Sequence, residues 1–163
     1  MKTLGILFLS LTPLLFGLEY KINLTKYANF INTFKEFIIF TKEQIRFVGR
    51  ERDEIFALAT VDPRFNSLIF KNIEKSLKSG ENIEKIFKEY NDIRLKSKDI
   101  QNITAFITGL GNSDTEGELT HCDYYISLFE KEEKKLSSLN SAKGKLTLGL
   151  SLSLSAVMFI IMI

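Results

Sequence analysis

Residues 24–48, LTKYANFINTFKEFIIFTKEQIRFV, decide the fold class. The apolar positions Leu24, Ala28, Ile31, Phe34, Ile38, Ile45 and Val48 recur at three, four or seven residues, the spacing of one face of a long α-helix. Phe30, Phe37, Ile39 and Phe40 widen that face, so the helix is expected to be buried on more than one side. Gly49 is placed to end it. Beyond it, Arg50 to Ala59 reads as a short helix that closes before Asp62-Pro63, because the residue preceding a proline is driven away from the α region.

The same periodicity continues downstream. A helix from Pro63 to about Lys78 would bury Phe65, Leu68, Ile69, Ile73 and Leu77 and stop at Ser79-Gly80. Ile83, Ile86, Phe87, Tyr90 and Ile93 share one face of a helix from Ile83 to about Leu95. Ile100, Ile103, Phe106, Ile107 and Leu110 mark a fifth helix, closed by Gly109 and Gly111. Ser113 and Glu116 match a capping box, in which the serine oxygen accepts from a free backbone N–H and the glutamate reaches back. A sixth, long helix then carries Leu119, Cys122, Tyr125, Leu128, Phe129, Leu136 and Leu139. No pair of alternating strands flanks a glycine-containing turn. The expected fold is all-α, an antiparallel bundle of about six helices.

Charge is unevenly distributed along the 163 residues. Every acidic residue and every basic residue but Lys2 falls between Glu19 and Lys145. The uncharged ends, residues 3–18 and 146–163, would span roughly 24 and 27 Å as helices, close to the ~30 Å of a bilayer core. Both are read as terminal membrane helices flanking a domain of residues 19–145. Lys2 before an apolar run also opens a signal peptide, but the chain reads Phe16-Gly17-Leu18-Glu19 where a small-x-small cleavage site is expected, which favours an uncleaved anchor. Lys21, Lys26 and Lys35 follow the first segment, and Lys131, Lys134, Lys135, Lys143 and Lys145 precede the second. Cytoplasmic flanks are the lysine-rich ones, so the middle domain is expected to face the cytoplasm.

Chemistry leaves few traces. A net charge of +2, from 22 basic and 20 acidic side chains, gives no field for collecting nucleic acid. One cysteine and one histidine exclude a disulfide framework and a thiol-rich zinc site. His121, Cys122 and Asp123 are adjacent, so on a helix they point about 100° apart and do not converge as ligands or as nucleophile and base. Asp114 and Glu116 fall in a first helical turn, where carboxylates offset the positive dipole end. Gly109-Leu110-Gly111 lacks the remaining glycine and the preceding strand of a dinucleotide loop, and no phosphate-cradling Gly-Lys-Ser/Thr occurs. The reading is of a protein that is not an enzyme, without cofactor, metal or small-molecule substrate. In the run Glu130-Lys131-Glu132-Glu133-Lys134-Lys135, Glu130 and Lys134 stand four apart on a solvated helix face. Its lysines, Lys131, Lys134 and Lys135, are candidates for a polar docking surface.

At Leu110-Gly111-Asn112-Ser113-Asp114-Thr115-Glu116-Gly117, followed by a long helix, a lysine-flanked junction and an apolar C-terminus, the chain resembles the stage III sporulation protein AB family. Phe70-Lys71-Asn72-Ile73 and the helix end from Leu77 to Gly80 agree with it. It departs from the family at Glu118, where glutamine is common, and at residues 142–146, which lack the expected tyrosine and arginine.

The resemblance implies a membrane component of the channel between mother cell and forespore in endospore-forming bacteria. Its soluble region would be similar to the cytoplasmic domain of the platform F protein of type II secretion and type IV pilus machines. The implied partners are a secretion-type ATPase similar to stage III sporulation protein AA, other membrane channel subunits and membrane lipid. Within the boxed segment, Leu110, Gly111, Ser113, Asp114 and Gly117 are read as a structural corner, with contact to the ATPase as the alternative. A membrane-anchored receptor or signalling adaptor would carry the same anchors and bundle, and is the competing reading.

Overall fold

The computed structural model describes residues 2–68, 70, 72, 73, 75, 83–89, 93 and 95–162, without the side chains of 2–10, 67, 88, 89, 159 and 162. Among the described residues every regular element is helical. Helix α1 runs from Lys2 to Glu43 and continues into a π-helical turn, Gln44–Val48. Helix α2 is Arg52–Val61, followed by a 3-10 helix, Pro63–Leu68. Then come α3, Ile83–Glu89, α4, Ser97–Gly109, and α5, Thr115–Leu139. A second π-helical turn, Asn140–Gly144, precedes α6, Lys145–Met162.

The chain divides into two compact units, residues 29–133 and residues 1–28 with 134–163. The first is a bundle around phenylalanine. Phe30, Ile31, Phe34, Phe37, Ile38 and Thr41 are all buried, at spacings of one, three and four that keep one broad face of α1 turned inward. Phe37 is the hub. Its ring centroid lies 4.3–6.3 Å from those of Phe34, Phe56, Phe65, Phe70 and Phe106, so one side chain links α1 to α2, α4 and the residues after Pro63. Most of these pairs are tilted or edge-to-face, the arrangement that the ring quadrupole favours. Lys42 pairs with Asp123 and Lys35 with Glu133, so α1 and α5 run antiparallel in this unit.

The first turn beyond Pro63 is tighter than the expected α-helix. Asp62 accepts from the backbone N–H of Arg64 at 2.9 Å and from its guanidinium, which holds the Asp62 carboxyl below its ordinary range. The expected helix end at Ser79-Gly80, and Ile69, Leu77 and Tyr90 of the expected core, lie outside the described residues.

The expected burial of Ile45 and Val48 does not hold. A π turn takes one more residue than an α turn and re-phases the side chains beyond it, so Ile45 is half-buried while Phe47 and Val48 face solvent. Ile39 is exposed as well. Gly49, at φ +67°, ends the turn by donating to the carbonyls of Gln44 and Ile45.

The second unit pairs the first part of α1 with residues 134–163, again antiparallel. Asn140 donates to Thr25 Oγ1, and Gly144 and Gly17 face Lys21 and Ser151 respectively. A Cβ on Gly17 would stand 2.7 Å from Ser151 Cβ, so the glycine is what lets the two helices come this close. Pro13 lies inside α1. Much of the unit's apolar surface is uncovered: Phe16 is 69% exposed, Leu150 62% and Ile161 77%. Residues 3–18 and 146–162 are helical, but among the described residues no helix is long and apolar enough to cross a membrane. The first apolar stretch does not form a separate element, because α1 carries straight on through Glu19 and Lys21.

Candidate functional site

The boxed segment forms the connection between α4 and α5 in the bundle unit. Helix α4 ends at Gly109, where a Cβ would stand 2.6 Å from His121 Cε1, so this glycine makes room for the imidazole. Leu110 is buried and anchors the turn to the core. Gly111 makes the turn itself at φ +85°, a conformation that costs a side-chain-bearing residue on the order of 1 kcal/mol or more.

The cap sits one residue later than the capping box places it. Helix α5 starts at Thr115, and Asp114 Oδ1 accepts from the Gly117 N–H at 2.9 Å, which makes Asp114 the N-cap. Ser113 does not cap. Its hydroxyl donates to Glu118 Oε1 at 3.0 Å, and the same oxygen accepts from the N–H groups of Gly111 and Ser113 at 2.9 and 3.1 Å. Glu118, not Glu116, is therefore the carboxylate that reaches back. Gly117 is required by this packing, since a Cβ there would lie 2.8 Å from Ser113 Cβ and 2.9 Å from Asp114 Oδ1.

Beside the corner lies an open cleft of about 540 Å³, walled on its other side by residues 45–55. Gly49, Arg50, Arg52 and Ile55 face Leu110, Asn112 and Glu118 across it. Arg50 donates to the neutral Gln44 Oε1, and Arg52 lies 3.3 Å from the exposed Asp53 carboxylate. Glu118 is 6% exposed, and its second oxygen, Oε2, is buried and meets no donor among the described residues.

The three adjacent polar residues of α5 turn to different neighbours. His121 stacks on Phe106, with ring centroids 5.4 Å apart, and its Nε2 lies 3.2 Å from the Phe106 carbonyl oxygen. Cys122 is fully buried, and burial, reinforced by the charges of Glu118 and Asp123, pushes its thiol up to about 12. Asp123 pairs with Lys42. Such a thiol has no thiolate to offer near neutral pH. Among the described residues no three His, Cys, Asp or Glu side chains converge as metal ligands.

The candidate docking lysines Lys131, Lys134 and Lys135 lie on α5, and all three are exposed. The carboxylates between them are occupied elsewhere, Glu132 with Lys96 and Glu133 with Lys35. Arg50 and Arg52 are not singled out by the sequence pattern, and Glu118 enters it only as a departure where glutamine is common, with no role in the corner. The available signal is Gly117: with the cap at Asp114, the third helical position has no side chain to reach back with, and the next residue, Glu118, takes that role.

The sequence matches the family model for stage III sporulation protein AB over residues 2–163. The chain belongs to the stage III sporulation protein AB family. It is thus a sporulation protein, and the corner at residues 110–118 is a feature of a stage III sporulation component. Comparison with curated proteins and with solved structures returned no match.

Proposed function

We propose that the chain is a non-catalytic membrane platform component of a channel between mother cell and forespore, with the bundle unit in the cytoplasm docking a secretion-type ATPase. Membership of a stage III sporulation family supports the setting. The observation that carries the membrane reading is the uncovered apolar surface of the two-helix unit. Leu15, Phe16, Leu150, Leu152, Leu154 and Ile161 are all more than half exposed, far more apolar area than a water-facing helix pair of this size normally leaves open. In this reading residues 3–18 and 146–163 lie in the mother-cell membrane facing the forespore, lipid covers those side chains, and Lys21, Lys143 and Lys145 sit at the cytoplasmic interface. Other channel subunits would share the membrane.

Docking through the exposed lysines of α5 is the form of partner contact that a mixed-charge bundle supports. Such association is transient and weakens with salt, since exposed charges are screened over a Debye length of about 8 Å at physiological ionic strength.

Two measurements test the proposal. Cysteine labelling of intact cells, in a Cys122→Ser background, is expected to reach a probe beside Lys2 or after Ile163 and to miss one at Lys96; labelling at Lys96 would sink the cytoplasmic placement. Binding of the full chain in detergent to the secretion-type ATPase is expected to fall at high salt and to be lost in Lys131→Glu with Lys135→Glu at an unchanged melting temperature. Salt-insensitive binding that survives the double reversal would remove this face from the contact, and no binding by the unaltered chain would remove the ATPase.

A further inference from the structure

A carboxylate buried in a protein is normally met by a cation or by donors at both oxygens, because an unmet charged group forgoes its hydration without replacement. Glu118 breaks that pattern. Its Oε1 collects three neutral donors from the corner, at 2.9–3.1 Å. Its Oε2 meets none, and no lysine, arginine or histidine among the described residues forms an ion pair with it.

The setting of that carboxylate gives the sign of what it would bind. Glu118 lines the open cleft of about 540 Å³, and the other ionisable side chains lining it are Arg50, Glu51, Arg52 and Asp53. Three carboxylates face two guanidiniums. Arg52 is paired with Asp53, while Arg50 donates to the neutral Gln44 and keeps its charge. Glu51 stands exposed at the rim and Glu118 sits at the wall of the corner, so the lining as a whole is left negative. The local field therefore favours a positive group, and the buried polar atom of the cleft that lacks a hydrogen-bond partner is an acceptor.

We infer that this cleft is a receptor for a single basic side chain, arginine or lysine, presented by a partner protein, with Glu118 Oε2 as the acceptor. A charge-assisted bond there is stronger than one between neutral groups, and arginine has the planar fork that fits a carboxylate best. The corner's three donors hold the carboxylate in place before the partner arrives, but Oε2 is itself buried, so the side chains that cover it must shift for the basic group to reach it. The site is read from the cleft alone and stands whether or not the partner is an ATPase.

The test uses the full chain in detergent micelles, labelled with ¹⁵N and titrated with two blocked tripeptides, Gly-Arg-Gly and its neutral counterpart Gly-citrulline-Gly. The arginine peptide is expected to move the Gly111 and Ser113 amide resonances saturably, with the citrulline peptide at least tenfold weaker. Glu118→Gln keeps an oxygen for the corner's donors and puts an amide N–H₂ where Oε2 was, so arginine binding should fall at least tenfold at an unchanged melting temperature. Should that variant melt early, Glu51→Gln with Asp53→Asn, both exposed and outside the corner's hydrogen bonds, should weaken the arginine peptide several-fold. Equal response to both peptides, no saturation, unaltered binding in these variants, or the same resonance shifts from calcium chloride alone would overturn the assignment.

Discussion

Glu118 Oε1 lies 2.9 Å from the backbone nitrogen of Gly111, seven residues earlier in the chain, and so ties the first turn of α5 to the end of α4. Together with the Asp114 cap this makes the corner a closed hydrogen-bonded unit. Asp114→Ala removes the cap and is expected to cost about 1 kcal/mol. Ser113→Ala removes one of three donors to an oxygen that keeps the other two, and should cost less. Thermal or urea melts of the full chain in detergent order the two variants; a larger loss in Ser113→Ala would place the cap back on the serine.

The two glycines of the corner should fail for different reasons. Gly111→Val forces a β-branched residue to φ +85° with Arg52 already 3.5 Å from the position of the added Cβ, and is expected to lose roughly 1–3 kcal/mol. Gly117→Ala keeps a favourable backbone but drives a methyl into Ser113 and Asp114, with a cost of about 1–3 kcal/mol unless the cap shifts. Combining Gly117→Ala with Ser113→Gly, which removes the struck side chain, should recover part of the second loss and none of the first. Equal rescue of both would show that crowding alone explains Gly111.

Gly17 makes a prediction about the two-helix unit. Cysteines at positions 25 and 140, where Asn140 now donates to Thr25, should cross-link readily in a Cys122→Ser background. Gly17→Leu, whose side chain would overlap Ser151, should lower the yield sharply, whereas a change at the open Gly149 should not. Equal yields would mean that the pairing does not depend on close approach at Gly17.

Cys122 should be chemically silent while the bundle is folded. With the thiol pushed up to about 12 from an unfolded value near 9, the native chain holds its proton where the unfolded chain has lost it. The contribution to stability is therefore intact below pH 9 and is lost progressively as pH rises from about 9 toward 12. Iodoacetamide at pH 8.5 is expected to modify the native chain more than tenfold more slowly than the urea-unfolded chain; equal rates would show the thiol to be accessible and ionised.

The fold and the corner are legible in residues alone wherever local rules do not compete. The buried face of α1 through Phe30, Phe34 and Phe37 follows from spacing, because a run of large apolar residues at helical intervals has few other solutions. Ile45 and Val48 fit the same spacing and are misplaced by it, since nothing in their identity announces the π turn that rotates them. The corner shows in its glycines, Ser113 and Asp114, yet the capping box puts the cap one position early: serine and aspartate are near-equal caps, and which of two neighbours serves depends on where the next carboxylate reaches. Glu118, Arg50 and Arg52 come together only through the packing of α2 against the α4–α5 connection, a long-range fact with no local signature. The apolar ends are plain in composition, and the structure adds their helical pairing at Gly17 and Ser151.

The π turn at Gln44–Val48 makes the position of the cleft sensitive to chain length. A π turn is an α-helix with one residue to spare, and the surplus is what turns Ile45 toward the cleft and carries Gly49 to its left-handed stop. Deleting a single residue there would let the helix close up as regular α, and everything from Arg50 onward would enter the next segment rotated by about 100°. The arginines would then leave the wall opposite Glu118 with every side chain of the corner unchanged. Chains that differ by one residue in this stretch would thus differ in what they recognise, even with identical residues on both walls.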